Sequence, residues 1–317
     1  MNLPKISDLE VSGKKVLVRM DLDIPEGDES RLEAGEETLD YLKSKNAEII
    51  VIGHKGRPDG KVEESLSLKP LKPFFDKWGA NLEENLRFDL GEEKNDPEYA
   101  KKLASLGEIY VNEAFAVSHR EHASIVGVPK FLPHAAGFRF IKEIENLSKV
   151  FENPKKPVVV IISGIKEDKI EMAKNLSEIY DKVLVGGRLP EYFGDAALES
   201  VRSQNSNLII GNLNMDKEDI TLHTIDRFKE EIKKAGTVVL AGVPGKYEDE
   251  GHRQGTKAVF EAVANSSAYK LAGGGDTEAA LTMFNLKDKF DWISVGGGAM
   301  IEFLVNKTLS GIKALLN

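Results

Sequence analysis

The second half of the sequence repeats one device: a short run of β-branched and other apolar residues, then glycine, then a stretch with helical periodicity. The runs at 158–162, 181–185, 237–241, 268–272 and 292–295 end at Ser163-Gly164, Gly186-Gly187, Gly242, Gly273-Gly274-Gly275 and Gly296-Gly297-Gly298. Runs that are apolar at every position belong to strands covered on both faces. Helices must alternate with them, so the fold class is α/β with a doubly wound parallel sheet. Glycine at a strand exit lets a ligand come close to the backbone. Tight turns alone account for one or two such exits and poorly for all of them.

The first of these exits, residues 158–169 (VVVIISGIKEDK), carries the sharpest chemical signal. Lys166 and Lys169 ride the opening of a helix, where the dipole disfavours cations unless a strongly anionic group such as a polyphosphate also visits. A plain βα turn with surface lysines would give the same pattern.

The first half reads as strands at 14–22 and 47–53, a short extended piece ending at 85–88, and a strand at 108–115. Helices are expected at 30–45, at 67–78 despite Pro70 and Pro73, and at 96–106. Arg19, Arg31, Arg57, Arg87 and Arg120, with His54, His119 and His122, lie at or near the edges of these elements. In an α/β sheet such ends meet along one rim. Arginine matches phosphate and carboxylate bidentately, although pairing with internal carboxylates such as Asp21 would also place arginines there.

The chain has 317 residues, enough for two domains, and its longest clean helical pattern, 138–153, marks the boundary as a connector. A net charge of −9 disfavours nucleic-acid and acidic-membrane partners. With no cysteine there is no disulfide, thiolate metal ligand or thiol nucleophile. No signal-peptide core and no membrane-length apolar run is present, so a cytoplasmic location is expected. Gly242-Val243-Pro244-Gly245-Lys246 is too short for a P-loop, and Tyr247 stands where Ser or Thr is needed. No G-x-G-x-x-G follows the first strand.

Taken together, RMDLDIP (19–25), GHKGRP (53–58), ENLRF (84–88), GEEKNDPE (91–98), VNEAF (111–115), SHREHAS (118–124), GTKAV (255–259), GGGDT (273–277) and SVGGGA (294–299) resemble the phosphoglycerate kinase family over nearly the whole chain. The resemblance implies two Rossmann-like doubly wound domains facing across a cleft. They would be an N-terminal 3-phosphoglycerate domain at 1–145, on which 303–317 packs back, and a nucleotide domain at 146–302. It implies reversible phosphoryl transfer between 1,3-bisphosphoglycerate and ADP, with Mg2+ as cofactor, in a monomer.

By the same resemblance, Asp21, Asp23, Arg31, His54, Arg57, Arg87 and Arg120 bind the acid. Lys166, Lys169, Gly187, Glu248, Gly274, Gly275, Asp276 and Thr277 bind the nucleotide, Glu248 at the ribose and Asp276 at the metal. Arg31, Lys166, Gly275 and Gly298 would act on the moving phosphoryl group.

The sequence departs from the family in several places. Asp23 replaces the usual Asn, Lys166 and Lys169 are one residue closer together, and Arg188-Leu189 follow Gly187. AGVPG stands at 241–245, Val295 replaces Thr, and stretches before Glu84 and between Phe193 and Asp219 are shortened. The shortened adenine side implies weak or base-promiscuous nucleotide binding. The alternative is a degenerate relative that binds phosphoglycerate or nucleotide without turnover.

Overall fold

Val16, Leu17 and Val18 are all fully buried, as are Val160, Ile161 and Ile162. An apolar stretch that hides successive residues must be covered on both faces, and that requirement shapes both halves of the chain. The computed structural model describes residues 2–24, 30–165, 167, 169–193 and 207–317. The chain forms two compact units, Met1–Glu145 with Thr308–Asn317, and Asn146–Lys307.

In the first unit five parallel strands take the order β3-β2-β1-β4-β5: β1 (Lys15–Arg19), β2 (Glu48–Ile52), β3 (Asn81–Leu82), β4 (Ile109–Asn112) and β5 (His134–Ala136). Arg19 lies level with Ile52 and Asn112, so the C-terminal ends of the three central strands form one edge.

The stretch at 30–45 is two helices, α1 (Ser30–Glu33) and α2 (Glu36–Ser44). Gly35 stands at the N-cap of the second helix, where a Cβ would lie 2.4 Å from the Met20 side chain. The expected helix at 67–78 shrinks to α3 (Lys72–Phe75) flanked by 3-10 turns, because proline supplies no amide to continue a helix. Then come α4 (Leu90–Glu93), α5 (Pro97–Ala104), capped by the Asp96 carboxylate on the Tyr99 amide at 2.9 Å, and α6 (Phe138–Ser148). Helix α6 ends five residues short of the expected Asn153, tightening through the 3.1 Å bonds Val150 N to Leu147 O and Phe151 N to Ser148 O.

In the second unit six parallel strands take the order β11-β10-β9-β6-β7-β8: β6 (Val158–Gly164), β7 (Lys182–Gly187), β8 (Leu208–Ile210), β9 (Thr237–Ala241), β10 (Tyr269–Gly273) and β11 (Trp292–Ser294). The helices are α7 (Lys169–Ile179), α8 (Leu222–Lys234), α9 (Gln254–Ala264), α10 (Gly275–Met283) and α11 (Gly297–Asn306). A core of Ile161, Leu184, Phe228, Leu240, Val259 and Phe260 locks strands to helices, each such side chain contributing about 1.5–3 kcal/mol by burial. The last helix, α12 (Ser310–Leu316), belongs to the first unit.

Both sheets reverse strand direction of growth at one point, between β1 and β4 and between β6 and β9. In open α/β sheets ligands bind outside the strand C-termini at such points.

Candidate active site

At the first of these points the structure gathers cations. Arg19, at the end of β1, is wholly buried. Its Nε donates to Ser124 Oγ at 2.9 Å, and Ser124 Oγ donates in turn to Glu92 Oε1 at 2.6 Å. Glu92 also accepts the Ser124 amide and has no exposed surface. The Arg19 charge is therefore answered through a hydroxyl by a buried carboxylate.

Arg19 Nη2 donates to His54 Nδ1 at 2.8 Å. Guanidinium is donor-only, so Nδ1 is the acceptor and the imidazole proton sits on Nε2. Burial first, then the charges of Arg19, Arg87, His122 and Arg120, push His54 well below its ordinary pKa and keep it neutral.

The same field acts on its neighbours. His122 falls to about 3, through burial and then Arg87, Arg19, Arg120 and His119. His119 falls to about 4, through burial and Arg120. Arg87, 3% exposed, donates to Gly56 O at 2.7 Å and lies 3.2 Å from Glu93. Burial lowers its pKa, and Arg120 and Arg19 add to that while Glu93 opposes it.

Two acids frame this edge. Asp21 accepts the Ala116 amide at 2.9 Å, tying the end of β1 to the loop beyond β4, and burial raises its pKa against the charges of Arg19 and Arg31. Asp23 accepts the Gly56 amide at 2.9 Å, its carbonyl accepts Arg31 Nη1 at 2.6 Å, and its Oδ2 stands 4.0 Å from His54 Nε2. Arg57 is exposed and Arg120 half-buried, and among the described residues neither side chain has a hydrogen-bond or ion-pair partner. Arg19, Arg87, Arg120, His54 and His122 are thus brought together, with Arg31 joined through Asp23. Arg57 follows Gly56 directly.

In the second unit the strand exits are level, Gly164 beside Gly187 and Gly273 beside Ala241 and Ser294. Gly187, Gly242 and Gly274 have φ of +62°, +104° and +106°. A Cβ at Gly242 would lie 2.3 Å from Ser163 O, and one at Gly297 2.7 Å from Gly274 Cα. Backbone passing backbone therefore explains Gly187, Gly242 and Gly297, and positive φ alone explains Gly274. Gly275 and Gly298 differ: a Cβ at either would meet nothing within 4 Å. They open α10 and α11, where helix N–H groups lack intrahelical acceptors.

A cavity of about 450 Å³ is lined by Gly187, Glu248 and Asp276 among the expected residues. Its wall also includes Arg188, Tyr192, Lys217, Glu218, Lys246 and Tyr247, to which the sequence pointed only through the oddity of Arg188 and the failed P-loop match at Lys246 and Tyr247. Glu191 receives Arg188 Nε and Lys217 Nζ, each at 2.7 Å, and these bonds hold its pKa low. Lys169 Nζ donates to Ser163 O at 2.8 Å. Thr277 is buried, its hydroxyl accepting the Gly242 amide at 2.8 Å. Lys166 lies outside the described residues.

Sequence reasoning missed two structural anchors. Glu113 accepts the amides of Arg139 and Phe140 at 3.1 and 2.9 Å, fixing the start of α6, and burial pushes it up to about 7. Asp219 accepts the amides of Ile220 and Gly255, each at 2.8 Å, which explains the glycine of GTKAV because a Cβ on Gly255 would lie 2.1 Å from Asp219 Oδ1.

The fold and these sites define a two-domain parallel α/β protein with a buried cationic edge on one unit and a glycine-floored pocket on the other. A family model described as phosphoglycerate kinase matches residues 6–78, 76–208 and 211–307. The phosphoglycerate kinase of Dictyoglomus turgidum is 35% identical, the match covering 98% of this chain and 97% of that protein. That of Coprothermobacter proteolyticus is 35% identical over 100% and 99%. The solved phosphoglycerate kinase of Coxiella burnetii matches with a TM-score of 0.84 at 32% identity, covering 99% of each chain. That of Pyrococcus horikoshii OT3 gives 0.82 at 25%, covering 99% and 98%. The chain belongs to the phosphoglycerate kinase family, phosphotransferases that use a carboxyl group as acceptor. The alternative of a binding-only relative has no support in these comparisons. No helix among the described residues is long and apolar enough to cross a membrane.

Proposed function

We propose that the first unit holds 3-phosphoglycerate or its acyl phosphate on the cationic edge, and the second holds a magnesium nucleotide in the pocket, for reversible phosphoryl transfer between 1,3-bisphosphoglycerate and ADP. The observation that carries this reading is the convergence of Arg19, Arg87, Arg120, His54 and His122 on one strand edge of a protein with net charge −9. Glu92 answers Arg19 and Glu93 answers Arg87, which leaves Arg120 beside them without an ion-pair partner among the described residues, a charge that a bound anion would answer.

Each residue has a job that follows from its bonds. Arg120 and Arg57 are available for phosphate and carboxylate oxygens. Neutral His54 offers Nε2–H, held in that tautomer by Arg19. Arg31 reaches the carboxyl end and the moving group. Arg87 adds charge from beneath, anchored on Gly56. Asp21 and Asp23 brace the frame through amides.

On the nucleotide side, the amides of Gly275 and Gly298 receive phosphoryl oxygens where no side chain intrudes. Lys169 contacts bound phosphates, Lys166 the moving phosphoryl, and Glu248 the ribose, with Gly187, Gly274 and Thr277 shaping the floor. Among the described residues no cluster of three or more His, Asp or Glu could hold a metal. The donor set therefore suits magnesium carried on phosphates, which needs one carboxylate, Asp276, and not a resident ion. Bound there, it neutralises phosphate charge. Acyl phosphates are good donors, so positioning and charge suffice and no general base is required.

Steady-state kinetics on two variants test the division. Arg120→Ala is expected to raise the KM for 3-phosphoglycerate about tenfold or more, as loss of a charge-assisted bond does, with nucleotide KM within about twofold. Asp276→Ala is expected to do the reverse. Both KM values moving together in both variants would defeat the assignment.

A further inference from the structure

The pocket of the second unit has two chemically different ends. Tyr247 lies near Glu248 and Asp276, whose charges add to burial in raising its pKa. Arg188 lies instead within the field of Glu191, Glu218 and Tyr192. With the phosphates and magnesium at Asp276, the second group is left to meet the base.

That group is polar and held in place. Arg188 and Lys217 share Glu191, at 2.7 Å each, and the Glu191 side chain is only 15% exposed. Each cation keeps further N–H donors, since guanidinium has five and ammonium three. Glu218 is fixed through its backbone: its amide donates to Asp216 Oδ1 at 3.1 Å, and its carbonyl accepts the Lys246 amide at 2.9 Å. Its carboxylate is 3.7 Å from Lys246 Nζ, beyond hydrogen-bond length, and accepts no hydrogen bond among the described residues. The pocket therefore presents a carboxylate that is ion-paired with Lys246 at 3.7 Å but accepts no hydrogen bond among the described residues, next to two anchored donors.

We propose that Glu218, with Arg188 and Lys217, makes this site select guanine over adenine nucleotides. This rests on the pocket being the nucleotide site. Guanine presents two adjacent donors, N1–H and the 2-amino group, which fit the two oxygens of one carboxylate, and beside them the acceptor O6 for a cation. Adenine presents the acceptor N1 beside its 6-amino group. Against a carboxylate, N1 is an acceptor facing an acceptor, and the cations gain no oxygen. A site built to pair polar groups rejects the analogue that leaves them unpaired. The Glu218 side chain is 34% exposed, so the discrimination is expected at about 10- to 100-fold, well below that of a closed site.

Titration calorimetry of the full chain with the magnesium complexes of GDP, IDP and ADP tests this. The expected order of affinity is GDP, then IDP, which lacks the 2-amino donor, then ADP. Glu218→Gln, which can pair with either base, is expected to shrink the GDP-to-ADP ratio at least tenfold, and Lys217→Ala to shrink it by weakening GDP. Equal binding of the three, a preference for ADP, or a ratio unchanged in both variants would overturn the inference while leaving the pocket as the nucleotide site. If none of the three binds, the reading of the pocket fails and the inference falls with it.

Discussion

Arg19 and Asp23 show how single residues set the chemistry of the first unit. Arg19 spends its donors on Met20 O, Ser124 and His54, so a buried cation fixes the tautomer of a second, also buried residue. Asp23 does the opposite, adding a negative charge beside the proposed anion site while its Oδ1 holds the Gly56 amide. Asparagine can keep that acceptor and lose the charge. Asp23→Asn is therefore expected to lower the KM for 3-phosphoglycerate about two- to fivefold, a modest effect because the Asp23 side chain is 47% exposed. An unchanged or raised KM would show that the carboxylate has a role beyond bracing.

The arginines and His54 were legible as a set because each sits at an element edge. The Arg19–Ser124–Glu92 chain was not, because it joins residues up to 105 positions apart through a serine that carries no motif.

At the scale of elements, the glycine turns divide by cause. Gly242 has positive φ and a neighbour at 2.3 Å, whereas Gly275 and Gly298 open two helices with nothing near the missing Cβ. Gly242→Ala is expected to lower the thermal midpoint by several degrees, the cost of a clash and a strained φ being about 1–3 kcal/mol. Gly275→Ala and Gly298→Ala are expected to leave the midpoint nearly unchanged and to cut kcat/KM about tenfold or more, because a methyl group would stand where the proposed site receives phosphoryl oxygens. If either variant unfolds early with normal kinetics, that glycine is structural.

Strands with continuous apolar runs and glycine exits could be read directly. Strands β5 and β8 were not read: His134-Ala135-Ala136 has no β-branched residue, and β8 is only three residues long, whereas equally short β11 was read from the three glycines at its exit. The helices at 30–45 and 67–78 were overread, since propensity alone did not show that Gly35 packs on Met20 or that two prolines interrupt the second stretch.

For the whole molecule, crowding cations around histidines links stability to pH. In the unfolded chain these rings bind a proton at about pH 6.5, whereas folded His119 does so at about 4 and His122 at about 3. Between those values the unfolded chain holds more protons, so this stabilisation is complete above about pH 6.5 and is lost as pH falls. Buried Glu113, raised to about 7, opposes it, since its contribution is present below about pH 4.5 and lost as pH rises through 7. Buried Asp21, also raised by burial, acts in the same sense as Glu113, and the three lowered histidines, His54 included, outnumber these two acids. The first unit's thermal midpoint is expected to drop by about 3–6 °C from pH 7 to pH 5, which corresponds to about 1–2 kcal/mol after allowing for partial exposure. A midpoint that rises instead would mean that the carboxylates dominate.

The direct test of the central claim is turnover: 3-phosphoglycerate, magnesium and ATP or GTP supplied to the full chain, with acyl phosphate detected by its enzymatic reduction. The account predicts saturation in both substrates, dependence on magnesium, and a kcat of about 1–1000 s⁻¹. Binding of both substrates with no acyl phosphate formed would contradict it.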